Sequence, residues 1–131
     1  LVSEAFLARR IGNLDAFLLA FDQDARYDSP NYLWFRSRYA RFVYIDRIVV
    51  ASSARKRSCA RQLYHDLFGH ALRAGHDRVF CEVNLSPPNP LSDAFHAALG
   101  FAEVGTAEQG DRIVRYLARA LSEDDRKPSP H

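Results

Sequence analysis

The stretch Arg55-Lys56-Arg57-Ser58-Cys59-Ala60 is where residue types and spacing first suggest chemistry in this chain. It joins the end of a β-branched run, Ile48-Val49-Val50, to a segment with helical spacing. A helix start presents unpaired N–H groups and a partial positive charge. Small side chains there let an anion approach closely, and basic neighbours add attraction. The junction is therefore a candidate phosphate or pyrophosphate site. A merely basic strand-to-helix turn is the alternative reading of the same residues. A second group lies in residues 22–41, which have no clean period and are dense in aromatics. Long connections of this kind are uncommon in compact domains and are often functional. Tyr27, Tyr32, Trp34 and Phe35 are candidate walls of an amine pocket there, with Asp28 to hold an ammonium group. Core packing for the sheet is the competing role of these aromatics.

Candidate bases are Asp46, Tyr44 and Glu82. Tyr44 and Asp46 share one face of their strand by the period of two. An ion pair to Arg47 or Arg115 is the structural alternative for Asp46. Positioning alone contributes much to an amine-transfer reaction, so a dedicated base is not obligatory. His65, His70 and His76 read as solvent-facing histidines on or after a helix. No His/Cys spacing indicates a metal. Cys59 and Cys81 make no disulfide framework and read as reduced thiols.

The elements that must position these residues follow from the apolar pattern. Residues 4–11 and 14–21 read as two strands of a hairpin around Gly12-Asn13. Residues 31–39 fit a short helix behind Asp28-Ser29-Pro30. Residues 42–50 are nearly continuous in apolar residues, as in a strand covered on both faces. Ala60, Leu63, Tyr64, Leu67, Phe68, Ala71 and Leu72 carry the spacing of an amphipathic helix over 58–73, stopped by Gly75. Residues 78–85 form a buried strand, completing a right-handed βαβ unit over 42–85. The prolines at 87, 88 and 90 predict an irregular loop, then a helix capped at Ser92 or Asp93 and ended by Gly100. Residues 101–104 and 111–121 are strands, and 122–131 a disordered tail.

This order of elements, with two motifs on them, resembles the GNAT superfamily of acyl-CoA-dependent N-acyltransferases, in a bacterial branch. The first motif is the strand ending in Val50, followed by Arg55-Lys56-Arg57-Ser58-Cys59-Ala60, where Arg55 and Ala60 match and Ser58 replaces a glycine. The second is Asn89 to Phe101, matching at Asn89, Ser92, Phe95, Leu99, Gly100 and Phe101. The resemblance implies an α/β fold. Its central sheet is mixed and mostly antiparallel, with a splayed strand pair and flanking helices, over residues 1–121. It also implies that the usual first strand and two helices are absent before Glu4, which would bare the edge of strand 4–11 and leave room for a homodimer.

The activity implied is transfer of an acetyl group from acetyl-CoA to a primary amine of a small molecule, amino acid or peptide. Acetyl-CoA would lie between strands 42–50 and 78–85, along Ile48, Val49 and Val50. Its pyrophosphate would meet the N–H groups of Arg57 to Arg61, with Arg55, Lys56, Ser58, Cys59 and Ala60 around it and Asn89 and Phe95 nearby. His96 occupies the slot where the family often has an acidic tyrosine, which makes it a candidate proton donor to the leaving thiolate. An ordinary helix histidine is its alternative. Tyr27, Asp28, Trp34, Tyr44 and Asn84 would contact the acceptor. A GNAT-like module that binds CoA without turnover is the other reading of the same features.

Composition narrows the rest. The chain has 131 residues, enough for one domain with a core of its own. Its 18 basic and 16 acidic residues give no strong field for nucleic acid or anionic lipid. The apolar runs are far too short for a membrane span, and no signal peptide is visible. These features predict a cytoplasmic protein without nucleic-acid or membrane partners and without a metal.

Overall fold

The strands carry two interleaved apolar sets, one for each face of a sheet. In a computed structural model, which describes residues 5–11, 16–50 and 56–126, these sets build two cores on opposite sides of one sheet. The strands are β1 (Leu7–Ile11), β2 (Ala16–Asp22), β3 (Val43–Val50), β4 (Arg78–Ser86), β5 (Ala102–Gln109) and β6 (Arg112–Ala120). Their order is β1-β2-β3-β4-β6-β5. All neighbours are antiparallel except β3 and β4, which are parallel. The helices are α1 (Pro30–Arg36), α2 (Lys56–Arg73) and α3 (Pro90–Ala98).

Helix α2 makes the β3-to-β4 crossover, as its spacing predicts. Leu63, Tyr64, Leu67, Phe68 and Ala71 are buried against Leu18, Val43, Ile45, Val79 and Cys81. Gly75, at φ 92°, ends it. Helix α3 joins the same face through Phe95 and Leu99. The opposite face is aromatic: Tyr32 and Phe35 of α1 pack on Phe21, Phe42, Tyr44, Phe80 and Tyr116.

Several boundaries differ from the sequence reading. Strand β1 begins at Leu7, although the Phe6 amide still donates to the Ala20 carbonyl at 2.8 Å and its ring meets His70 and His76. Helix α1 stops at Arg36, before the expected 39. Helix α3 begins at Pro90, not beyond Ser92. The Asn89 side chain caps it by accepting from the Ser92 amide at 3.2 Å, and proline suits a first turn that needs no donor. Strand β5 runs on to Gln109. Residues 123–126, expected in a disordered tail, form a 3-10 turn packed on α2. Buried Asp125 holds it there, accepting from Arg119 at 2.6 Å and from the Ser122 amide at 2.8 Å. His76 is buried, not solvent-facing. The Gly12-Asn13 turn and residues 127–131 lie outside the described residues.

Trp34 of α1 stacks on Tyr116 at 4.2 Å and lies over Gly105 of β5. A Cβ at Gly105 would fall 2.4 Å from the Trp34 ring. Gly105→Ala should therefore cost about 1–3 kcal/mol, read as a lower melting temperature. In a Trp34→Leu background the same change should cost much less. Equal penalties in the two backgrounds would show that the ring contact is not the cause.

Candidate active site

The sheet opens between β3 and β4. They pair only at Val43↔Val79 and Tyr44↔Phe80, although both strands continue for six residues more. A β-bulge accompanies the opening. Leu19 pairs with Arg47 but Ala20 with Ile45, so Asp46 is an extra residue in β3. Alternation changes phase there. Val43 and Ile45 face α2 before the bulge, and Ile48 faces α2 after it. Each strand is anchored on its outer side, β3 by β2 up to Val50 and β4 by β6 up to Ser86. The inner edges beyond Tyr44 and Phe80 therefore carry backbone groups with no ladder partner across the gap among the described residues. Such groups need partners, and an extended amide-containing chain would supply them.

Two tyrosine–carboxylate pairs flank the opening on the α1 side. Tyr44 donates to Glu82 at 2.7 Å, and Tyr27 donates to Asp46 at 2.5 Å. Asp46 also accepts from Arg47 at 3.2 Å, one of the two ion pairs anticipated for it. Arg115 faces Glu103 and Asp93 instead. Burial pushes the Glu82 carboxyl up to about 7, and the Asp46 charge adds to the rise. Hydrogen bonds from Tyr44 and Asn31 oppose it. Burial and the Asp46 bond together raise the Tyr27 hydroxyl to about 12. Tyr44 is raised further, by burial and by Glu82, so both hydroxyls stay protonated donors at neutral pH.

Asn31, Gln109 and Tyr116 complete the site and had no signal in the sequence. Asn31 Oδ1 accepts from Tyr116 at 2.9 Å and from Gln109 at 2.5 Å. Its amide is thereby aimed at Glu82. A helix start, a strand end and a mid-strand tyrosine meet here only through the fold. Asn84 lies on the same face of β4, two residues beyond Glu82 and opposite Val114.

The expected proton donor is placed elsewhere. His96 is buried between α3 and α2. Its Nδ1 lies 2.8 Å from the Ser92 carbonyl, which can only accept, so the ring proton sits on Nδ1. Nε2 is then an acceptor for the Tyr64 hydroxyl at 2.8 Å. Burial lowers its pKa, which keeps the ring neutral. With both nitrogens committed, His96 ties two helices together and directs no proton outward.

Trp34 is likewise packing and not a pocket wall. Tyr116 covers one side of it, and Arg38 lies 4.0 Å over the ring. Tyr44 is fully buried and reaches the site only through Glu82, while Asp28 is exposed. Asn89 is a helix cap, as shown above. Cys59 and Phe95 pack against the α2-side core. Arg61 and Phe95 share a surface cleft of about 210 Å³ between α2 and α3. Because α2 starts at Lys56, the amides of Ala60 and Arg61 lie inside its hydrogen-bond ladder, so the free donors sit nearer the helix start than Arg57 to Arg61. Arg55 lies outside the described residues, as do the side chains of Val50, Lys56, Arg57 and Ser58. Among the described residues, no group of three or more His, Cys, Asp or Glu side chains could hold a metal, and no helix is long and apolar enough to cross a membrane.

A family model described as the acetyltransferase (GNAT) family matches residues 5–101, the span that holds the open strand pair and both motifs. The chain belongs to this family. No curated protein matches its sequence. The ribosomal-protein-S18-alanine N-acetyltransferase from Escherichia coli superposes with a TM-score of 0.63 at 18% identity, over 91% of this chain and 71% of that one. A chain of the NatC complex bound to Gag peptide and CoA superposes at 0.61 and 14%, over 82% and 62%. Aminoglycoside 6'-acetyltransferase type Ii gives 0.56 and 18%, over 88% and 63%. The chain thus spans less than two thirds of the length of the second and third of these. At such identities they establish the GNAT fold, with its mostly antiparallel sheet and flanking helices.

Glu82 also sets a pH dependence. Its folded pKa of about 7 lies above the ordinary 4.5, so the folded state holds this proton more tightly than the unfolded one. The associated stability is present in full below about pH 4.5 and is lost as pH rises through 7. Glu82→Gln removes the buried charge. It should raise the melting temperature clearly at pH 8, an effect on the order of 3 kcal/mol, and hardly at pH 5. Equal shifts at both pH values would show that Glu82 is not held neutral by burial.

Proposed function

We propose that this chain transfers the acetyl group of acetyl-CoA to a primary amine of a small molecule, amino acid or peptide, inside the cytoplasm. The gap between β3 and β4 carries this reading. Its two unpaired backbone edges suit the amide-bearing pantetheine arm, and the start of α2 beyond β3 suits the pyrophosphate. Family membership supports the reaction class, and the NatC neighbour is bound to CoA.

The residues at the gap assign the steps. The amine arrives as an ammonium ion, drawn by the Asp46 carboxylate. Glu82, ionised above about pH 7, takes its proton. The freed lone pair attacks the thioester carbonyl carbon. A C–N bond forms and the oxygen becomes an anion, met by a backbone N–H of Ile48 or Val49 on the β3 edge. The anion collapses, the C–S bond breaks, and the nitrogen passes its second proton to water. A thiol has a pKa of about 8.5, so the departing thiolate gains a proton from water near neutral pH without a dedicated acid. Tyr44 and Asn31 orient Glu82, and Tyr27 and Arg47 hold Asp46.

The withdrawal of His96 from the gap favours a second reading, a CoA-binding module with weak turnover. Two measurements separate them. Acetyl-CoA at about 100 times its Kd should add roughly 2.7 kcal/mol and raise the melting temperature by several degrees. Release of free thiol with a panel of amines should then show turnover, with an acidic limb near pH 7 that Glu82→Gln abolishes along with about 100-fold in kcat. His96→Asn should lower stability and leave kcat nearly unchanged. Stabilisation by acetyl-CoA with no thiol from any amine would favour the module. No stabilisation would end the CoA reading.

A further inference from the structure

A second polar cleft lies at the other end of the parallel pair. It has a volume of about 340 Å³ and is built from residues 38–41, just before β3, and 75–78, just before β4. It therefore opens at the strand ends remote from the gap. Arg38, Arg41 and Arg78 line it against a single carboxylate, Asp77.

The arginines are held differently. Arg78 pairs with Asp77 at 3.1 Å and lies 5.6 Å over the Tyr39 ring. Arg38 is fixed by one guanidinium nitrogen, which donates to the Trp34 carbonyl and the Ser37 hydroxyl, both at 3.0 Å. Arg41 is exposed and has no ion-pair partner among the described residues. Its guanidinium lies 3.6 Å from where a Cβ on Gly75 would stand.

His76 gives the independent sign of a ligand. It lines the same cleft, is only 5% exposed, and its Nδ1 is buried without a hydrogen-bond partner. The ring is clamped by Phe6 edge to face at 5.3 Å. A buried ring nitrogen left unpaired is costly, which marks this end of the sheet as one not shaped by folding alone. The carboxylates of Asp22 and Asp24 also act on His76, as does the Arg41 charge, so the ring sits in a mixed field beside a cationic wall.

The geometry points to a binding site for a compact dianion, a phosphate or dicarboxylate group, held by Arg41 and Arg78 beside the His76 ring. Planar guanidinium forks suit such oxyanions. The site is separate from the gap and does not depend on the acetyl-transfer reading.

The test follows His76 itself in the full chain, so anion binding at the start of α2 does not confuse it. Imidazole resonances are assigned with His76→Gln and followed during titration with inorganic phosphate, succinate, acetate and chloride at matched ionic strength. A saturable shift of the His76 signals with phosphate or succinate is expected, stronger than with acetate or chloride. Arg41→Ala with Arg78→Ala should weaken it about tenfold or more. Arg41→Ala alone, at an exposed position, should weaken it in part and serves if the double variant folds poorly. The proposal fails if the His76 signals follow chloride and phosphate alike, if acetate binds as well as the dianions, or if the arginine variants bind unchanged.

Discussion

The parting of β3 from β4 after one short stretch of pairing governs the rest of the structure. Parallel neighbours ordinarily saturate each other's backbone groups along their length. Here pairing ends at Tyr44 and Phe80, and the extra residue Asp46 carries β3 out of phase. The sheet tolerates this because β2 and β6 hold the outer edges in register on both sides. An internal edge is thus created inside a continuous sheet, covered on one side by α2 and α3 and on the other by α1. Backbone donors and acceptors at such an edge are fixed before any ligand arrives, so their alignment costs little at the moment of binding.

The same parting sets the electrostatics. Glu82 lies just beyond the last paired residue of β4, deep enough to resist ionisation and close enough to Tyr44, Asn31 and the Asp46 carboxylate to be tuned by them. Asp46 is the bulged residue itself. The irregularity that opens the sheet therefore also delivers a carboxylate to its mouth. Aromatic packing beneath α1 supplies the rigidity. Phe35 stacks on Phe80 at 4.4 Å, and Trp34 on Tyr116 at 4.2 Å, which fixes the helix start that carries Asn31. The dense aromatics of residues 22–41 thus support the site more than they line it.

The two ends of the parallel pair differ in character. One end offers carboxylates and backbone with no ladder partner across the gap among the described residues, and the other offers guanidinium groups around a buried imidazole. The α2 face between them is largely apolar, and its buried Tyr64 and His96 satisfy each other, with Ser92 completing the chain.

The amino-acid sequence by itself determined the order of elements, the amphipathic face of α2, the glycine stops, and the two motifs that carry the family resemblance. These depend on local periodicity and short-range turn chemistry, which a sequence displays directly. It also brought Asp46, Glu82 and Tyr44 forward, because strand alternation fixes which residues share a face. It left His96 between two roles, since a position match says nothing of which neighbour the ring meets, and Trp34 between pocket wall and packing, since nothing local reveals the bare Gly105 beneath it. Only the tertiary structure decided the bulge, the partners of each carboxylate, the roles of Asn31, Gln109 and Tyr116, and the burial of His76 and Asp125. Each of those rests on contacts between residues far apart in the chain, and their energies depend on desolvation that exists only once the sheet and helices have closed around them.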